Sequence, residues 1–168
     1  LFIRGITKSM KKHKFVTLDD VLNIENIHSA YLSVMKTCKN TRGKNKFNFY
    51  KNINIENVYR ILKNGTYKPL PYSLFVIFEP KPRLIMSQCI TDKIVNHFIA
   101  KYILIPNLEN KLDNNNIATR IGKGSSYGNK LIIKYINTLR QSGDVYCLKL
   151  DISKYFYNIN HEILINKL

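Results

Sequence analysis

The sequence predicts an α+β fold, and three features support this. Apolar residues recur at helical spacing in several stretches, as in the run from Ile27 to Cys38. Two short β-type runs, residues 74–78 and 83–86, flank the turn sequence EPKP and predict a β-hairpin. A later apolar run, residues 145–150, alternates like a strand. Helices combined with a hairpin and a further strand indicate the mixed class.

The composition predicts a folded domain without a membrane span. The chain has 168 residues, of which 45% are hydrophobic, so it can bury a core. No apolar run reaches membrane length, and the early basic residues do not fit a signal peptide. The cysteine pattern argues against a disulfide framework or a zinc site and suits a reducing cytoplasm. We expect three buried or half-buried thiols, Cys38, Cys89 and Cys147.

The charge balance predicts a polyanionic partner. Lys and Arg total 27 against 11 Asp and Glu, a formal net charge of +16. Such an excess is typical of nucleic-acid-binding proteins. AT-rich coding would also raise the lysine count, although it explains the few acids less easily. An anionic membrane surface is the lesser alternative.

The first half contains a basic stretch between two predicted helices. KTCKNTRGKNK, residues 36–46, includes Arg42 and Lys44 and no acid. It is interpreted either as a solvated loop or as a set of phosphate contacts. Asn54 is expected to cap the second helix, which Gly65 ends. After the hairpin, Thr91 is expected to cap a helix that Pro106 terminates.

The second half opens with a basic, glycine-containing loop. ATRIGKGSSYG, residues 118–128, leads into a helix. Asn160 is expected to cap a last helix. The inward face of the helix after the loop is predicted to comprise Leu131, Ile132, Tyr135, Ile136 and Leu139.

Side chains on the predicted strand alternate between two faces. Tyr146, Leu148 and Leu150 would share the core face, whereas Asp151 would end the strand on the more polar face. A carboxylate there can contact a divalent ion, and Mg²⁺ prefers oxygen ligands. A turn-capping role for Asp151 is the plainer interpretation of the same pattern.

Several other candidate sites are rejected on spacing. His97 and His161 have no partner at ligand spacing, so no metal role is assigned to them. The GKGS sequence at residues 122–125 lacks the spacing of a phosphate-binding P-loop. Asp19 and Asp20 are paired acids, and we expect them to begin a helix.

Four segments together resemble reverse transcriptases in order and spacing. FEPKPRLI (78–85) is similar to the fingers hairpin of that family, and DKIVNHFIAKYILIPNLE (92–109) to the helix after it. ATRIGKGSS (118–126) is similar to the next basic segment, and LKLDISKYFYNINHEIL (148–164) to the first catalytic motif. The match covers roughly residues 60–168 and is best to bacterial enzymes of the group II intron, diversity-generating and unclassified types. The resemblance therefore implies fingers and the start of a palm domain.

The resemblance also implies roles for individual residues. Asp151 would bind catalytic Mg²⁺, or Mn²⁺, together with the main-chain carbonyl of Ile152. Phe156 would lie under the sugar and exclude a 2′-hydroxyl. Lys81 would contact the phosphates of the incoming nucleotide, and Arg83 would lie over its base. Contacts to the template backbone are expected from Arg120, Lys123, Arg42 and Lys44.

The implied partners are an RNA template, a DNA or RNA primer and deoxynucleoside triphosphates, with no membrane. The family's second catalytic motif, with two adjacent aspartates, does not occur in the sequence. We therefore expect an inactive piece of a longer protein. Its expected divisions are a basic segment at residues 1–25, fingers at 26–143 and palm at 144–168.

The sequence is also compatible with two other functions. The basic surface suits a non-catalytic module that binds structured RNA, as intron maturases do. An acid at a strand end also suits a nuclease of the RNase H type, although the EPKPR hairpin and the spacing of Asp151 and Phe156 argue against it.

Overall fold

The computed structural model describes residues 15–39 and 41–167. Residues 1–14 of the basic segment expected at residues 1–25 fall outside the described residues. The chain forms two compact units that divide between Leu112 and Asp113. Helices and one two-stranded antiparallel sheet make up the regular structure described, which confirms the α+β class. The functional divisions expected at residues 25 and 143 stay predictions.

Within the described residues of the first unit, four helices precede the hairpin. The predicted helix from Ile27 is confirmed, and Asn23 caps it by accepting a hydrogen bond from the main-chain N–H of Asn26. Asp19 and Asp20 lie in the first helix, as expected, and Asp20 accepts hydrogen bonds from both the main-chain N–H and the hydroxyl of Thr17. The four helices are α1 (Leu18–Val21), α2 (Ile24–Thr37), α3 (Arg42–Phe49) and α4 (Lys51–Lys63).

Helix α3 corrects the interpretation of residues 36–46 as a loop. Thr41 caps it, and the buried ring of Phe47 anchors it, so one apolar residue is enough to order a polar segment. Helix α4 then begins at Lys51, three residues before the expected cap. Asn54 lies inside the helix, where its side-chain amide donates to the carbonyl of Phe47. The end of α4 is as predicted, because Gly65 follows it at φ 63°.

The predicted hairpin is present and extends slightly further than expected. Strands β1 (Ser73–Phe78) and β2 (Pro82–Ser87) pair antiparallel, with Ile77 opposite Arg83 and Phe78 opposite Pro82. Proline is tolerated at the first position of a strand, where its missing N–H removes no interior ladder bond. Both strands therefore fold locally, around the short Glu79–Lys81 connection.

The helix after the hairpin differs from prediction at both ends. Helix α5 (Ile90–Ile99) is capped by Cys89, whose sulfur accepts from the main-chain N–H of Asp92, so Thr91 is not the cap. A π-helical segment (Ala100–Leu104) and helix α6 (Ile105–Leu108) continue it, followed by a 3₁₀ turn (Glu109–Lys111).

Pro106 does not end this helix, contrary to expectation. It lies in the first turn of α6, where a missing N–H is tolerated. Just before it the N–H of Ile105 bonds to the carbonyl of Ala100, which is the i to i−5 pattern of a π-helix. The widened turn lets the chain stay helical through the proline.

Helices α2, α4 and α5 enclose the core of the first unit. The rings and branched side chains of Ile27, Ile94 and Phe98 have no exposed surface. Full burial of one such side chain contributes about 1.5–3 kcal/mol. Hydrogen bonds also link α6 to the segment before α1, since the side-chain amide of Asn107 exchanges two hydrogen bonds of 2.8 Å with the main chain of Val16. Among the described residues, the other buried apolar ones are Ala30, Tyr31, Val34, Phe47, Ile55, Val58, Leu62 and Val95.

The second unit consists of helices joined by long irregular segments. Asn160 caps the last helix as predicted, by accepting from the N–H of Ile163. Only Leu131 and Ile136 of the expected inward face of α7 are half-buried, and the other three are exposed. The elements are α7 (Ser125–Leu139), 3₁₀ turns at Arg140–Ser142 and Tyr155–Tyr157, and α8 (His161–Lys167).

The predicted strand at residues 145–150 is wrong. This segment forms no strand, and its expected core residues Tyr146, Leu148 and Leu150 are all exposed. A strand needs a neighbour for its backbone hydrogen bonds, and no strand occurs among residues 113–167 of this unit. Cys147 lies in the same segment and is exposed, which corrects the expectation that all three thiols are covered.

Candidate functional site

The hairpin presents its basic residues beside exposed apolar side chains. Lys81 lies in the turn and Arg83 in β2, and both side chains are exposed. Arg83 lies opposite Ile77 on one face of the hairpin, which it shares with Phe75, a residue that is 47% exposed. A cation beside exposed aliphatic and aromatic surface suits a ligand that carries both phosphate and a planar base.

Asp151 lies in the second unit, at the rim of a shallow depression of about 560 Å³. Leu150, Ile152 and Tyr155 line it with Asp151. The segment turns sharply just afterwards, with Lys154 at φ 49° and the side-chain amide of Asn158 donating to the carbonyl of Ser153. The predicted metal residues therefore share one surface, although neither stands on a strand.

Phe156 does not line this depression. Its ring is 82% exposed and contacts the ring of Tyr155 edge-on, at a centroid separation of 5.2 Å. Tyr155 is thus the aromatic residue beside Asp151. The expected role of Phe156 under a sugar stays a prediction.

Arg120 and Lys123 are occupied in holding their own loop together. The guanidinium of Arg120 donates to the carbonyls of Asp113 (2.7 Å) and Asn116 (3.0 Å). The ammonium of Lys123 lies 3.5 Å from the carbonyl of Asn114, and the main-chain N–H of Lys123 bonds to the carbonyl of Arg120. These contacts give both residues a structural role that sequence reasoning did not predict. Their template contacts stay a prediction.

Arg42 and Lys44 have different environments within one helix. The ammonium of Lys44 donates to the carbonyls of Met35 and Cys38, each at 2.9 Å, and so caps the end of α2. Arg42 is exposed at the start of α3. Arg42 is therefore the better placed of the two for an external anion.

A buried carboxylate in the first unit was missed as a contact site. Asp92 lies in the first turn of α5, where an acid complements the helix dipole, and it is only 2% exposed. Its two oxygens accept from the hydroxyl of Tyr67 (2.9 Å) and the main-chain N–H of Leu70 (3.0 Å). Its burial could have been predicted from its position three residues before the core residue Val95, because residues three apart lie on the same side of a helix.

The environment of Asp92 raises the pKa values of two neighbouring side chains, Tyr67 and Cys89. Burial, together with the hydrogen bond and charge of Asp92, raises the pKa of Tyr67 to about 12. Burial also raises the pKa of the Cys89 thiol. Both groups therefore remain protonated at neutral pH, which suits a structural role for the cluster.

Metal ligands are sparse in the described chain. Across residues 15–39 and 41–167, no group of three or more His, Cys, Asp or Glu side chains is placed to hold a metal ion. Asp151 and Ile152 offer one carboxylate and one main-chain carbonyl on the same depression. Such oxygen donors fit part of a Mg²⁺ shell, since Mg²⁺ usually keeps several waters and substrate phosphates.

Two further expectations can be compared with the structure. The nuclease hypothesis depended on an acid at a strand end, and Asp151 is not on a strand. No helix in the described part of the chain has the length and apolar character needed to cross a bilayer.

No protein-family model matches the chain, and no curated protein sequence is significantly similar to it.

Proposed function

We propose that the chain is the N-terminal part of an RNA-directed DNA polymerase, comprising its fingers and the start of its palm. The observation that carries the proposal is the hairpin. Its EPKPR sequence predicted two antiparallel strands with Lys81 in the turn and Arg83 just after it, and the strands pair in that way. The net charge of +16 supports a nucleic-acid partner.

In this proposal the basic hairpin binds the incoming deoxynucleoside triphosphate. Lys81 neutralises phosphate charge, and the planar guanidinium of Arg83 stacks on the base while donating to phosphate oxygens. The exposed ring of Phe156 would support the sugar and leave no room for a 2′-hydroxyl. The template would be RNA and the primer DNA or RNA.

Asp151 would hold Mg²⁺ through its carboxylate, with the carbonyl of Ile152 beside it. Bound Mg²⁺ supplies charge stabilisation at the reacting phosphate. One carboxylate is too few for a two-metal centre, and the sole Asp-Asp pair in the 168 residues is Asp19–Asp20, which begins α1. The proposal therefore requires further carboxylates, and the 168 residues alone should be inactive. Free thiols at Cys38, Cys89 and Cys147 support a cytoplasmic location.

The test is DNA synthesis by the whole protein on a primed RNA template with Mg²⁺. We expect Asp151→Ala to lower synthesis by about 100-fold or more, because a metal-binding carboxylate is lost. RNA affinity should stay within about twofold, since one exposed side chain changes. Asp144→Ala, another acid in an exposed position of the same segment, is the matched control. Synthesis that survives Asp151→Ala would falsify the assignment.

Phe156→Ala provides an independent test of the same proposal. Removing the ring should raise incorporation of ribonucleotides relative to deoxynucleotides while leaving RNA binding unchanged. Tyr157→Ala is the control, because Tyr157 is the neighbouring exposed aromatic in the same turn. An unchanged sugar preference in Phe156→Ala would remove Phe156 from the proposed site.

The second candidate function is a non-catalytic module that binds structured RNA. The exposure of Arg42, Lys81 and Arg83 favours this function as much as it favours a polymerase, since contacts of these side chains with RNA phosphates need no metal. A wild-type protein that binds RNA with strong salt dependence but makes no DNA would support this alternative.

A further inference from the structure

A cleft of about 600 Å³ lies at the foot of the hairpin in the first unit. Residues from both strand ends, Ser73 and Ser87, form part of its wall. The start of α5 and one side of α3 complete it, through Thr91 and Phe47. The volume falls in the range typical of small-molecule sites and greatly exceeds that needed for a single inorganic phosphate.

The charged residues that line this cleft are all positive. Lys46 and Lys93 line it, and none of its lining residues is acidic. Asp92, the neighbouring carboxylate, is engaged with Tyr67 and Leu70 instead. Within the described residues neither lysine has a carboxylate partner, and Lys93 makes one long contact of 3.5 Å with the hydroxyl of Ser87. Two unneutralised ammonium groups therefore face a cavity that suits an anion.

The rest of the lining suits a planar, partly polar group. The ring of Tyr50 offers aromatic surface, since about half of this residue is exposed, and the buried ring of Phe47 forms part of the wall. Gln88 also lines the cleft, and its carbonyl oxygen is taken by the side chain of Asn96, which leaves its amide N–H groups to donate to a ligand. Aromatic surface and amide donors beside lysines are the features that bind a base and its phosphate together.

We propose that this cleft binds a nucleotide, with its phosphate on Lys46 and Lys93 and its base against Tyr50. The nucleotide is either free or a unit of a single strand, since both present the same phosphate and base. This proposal goes beyond polymerase activity, because none of these residues has been given a role in synthesis. It needs neither Asp151 nor a metal ion.

The test is calorimetric titration of the whole 168-residue chain without divalent metal. The probes are adenosine monophosphate, a single-stranded pentanucleotide and inorganic phosphate. We expect both nucleotide probes to bind more tightly than inorganic phosphate. Lys46→Gln with Lys93→Gln should weaken nucleotide binding by about tenfold or more, because hydrogen bonds to charged groups are lost.

Lys63→Gln is the matched control, because it removes the same charge at the far end of α4, roughly 18 Å along that helix from its start. It should change nucleotide affinity by less than about twofold, since exposed distant charges are screened. Tighter binding of the pentanucleotide than of the monophosphate would assign the cleft to a strand, and the reverse order to a free nucleotide.

A second measurement uses only the wild-type chain. Side-chain amide NMR signals of Gln88 should shift on addition of adenosine monophosphate, whereas those of Asn115, which does not line the cleft, should not. Equal affinity for inorganic phosphate and nucleotide, or equal loss in Lys63→Gln and the double variant, would overturn the proposal. Nucleotide binding by Asp151→Ala separates this cleft from the polymerase proposal, because it should be retained even where synthesis is lost.

Discussion

The hydroxyl of Tyr67 donates a 2.9 Å hydrogen bond to the carboxylate of Asp92, a side chain that is almost completely buried. The other carboxylate oxygen accepts from the N–H of Leu70. One acid in α5 thus fixes two points of the connector between α4 and β1. The position of the hairpin relative to the helices of the first unit depends on this pair.

Replacement of Asp92 should destabilise the first unit. Asp92→Ala leaves the hydroxyl of Tyr67 and the N–H of Leu70 without their acceptor, and we expect a loss of about 2 kcal/mol in the free energy of unfolding. Urea denaturation followed by circular dichroism measures it. Asp144→Ala, at an exposed position, should cost less than about 0.5 kcal/mol. Equal losses in both variants would contradict the role of the buried carboxylate.

The raised pKa of Tyr67 predicts a loss of stability at high pH. The folded pKa of about 12 exceeds the ordinary value of 10.0, so the folded state holds the proton more tightly. The resulting stabilisation is complete below pH 10 and disappears as the pH rises to 12. Between pH 10 and pH 12, Tyr67→Phe should therefore lose less stability than the wild type. The measurement is thermal unfolding of both proteins at each pH. A wild-type phenol that ionises at the ordinary pH, by tyrosinate absorbance, would disprove it.

Lys44 should matter for stability in a way that Lys46 does not. Lys44→Met removes the ammonium that bonds to the carbonyls of Met35 and Cys38, at an expected cost of about 1 kcal/mol. Lys46→Met, two residues later in the same helix, should cost less than about 0.5 kcal/mol because its side chain is exposed. Chemical denaturation compares the two directly. The reverse order would show that the cap on α2 contributes nothing.

Arg42 should contribute to RNA binding through charge alone. Arg42→Gln is expected to weaken binding of a single-stranded RNA and to reduce the slope of log affinity against log salt by about one. Arg60→Gln is the control, since Arg60 is engaged by Glu56 at 2.8 Å. Fluorescence anisotropy at several salt concentrations gives both slopes. An unchanged slope in Arg42→Gln would mean that this residue does not touch phosphate.

Gly128 and Ile117 should be coupled energetically. A Cβ at Gly128 would clash with the δ-methyl of Ile117, so this methyl must move if alanine is introduced. Replacing glycine by alanine in a helix interior ordinarily raises the free energy of unfolding by about 1 kcal/mol. We expect a smaller increase for Gly128→Ala because of this clash. Ile117→Val deletes the δ-methyl and should restore the full gain. Thermal unfolding of the two single variants and the double variant measures the coupling, and strict additivity would contradict it.

The hairpin and most helices could be predicted because their signals are local. Paired β-type runs around EPKP define the hairpin, and the apolar spacing of α2 and α5 defines their buried faces. The starts of α4 and α5 could not be predicted in the same way. Cys89 is an unusual cap, and α3 depends on burial of the single ring of Phe47.

The region around Asp151 was harder to predict because strand formation is not local. Alternation over residues 145–150 fits a strand, but a strand also needs a partner with free backbone groups. The proposed contacts of Arg120 and Lys123 illustrate a second limit. Composition shows that a loop is basic, but only the three-dimensional structure shows that these side chains bond to its own carbonyls.

The π-helical segment before Pro106 makes this part of the chain sensitive to length. A π turn contains one residue more than regular α geometry requires. Deleting one residue from Ala100–Leu104 would leave regular α geometry, in which the ring of Pro106 would clash with the carbonyl four residues before it and kink the helix. The amide of Asn107 would then face away from Val16, and both of its hydrogen bonds would be lost. Single-residue deletions should therefore be tolerated far less well here than substitutions.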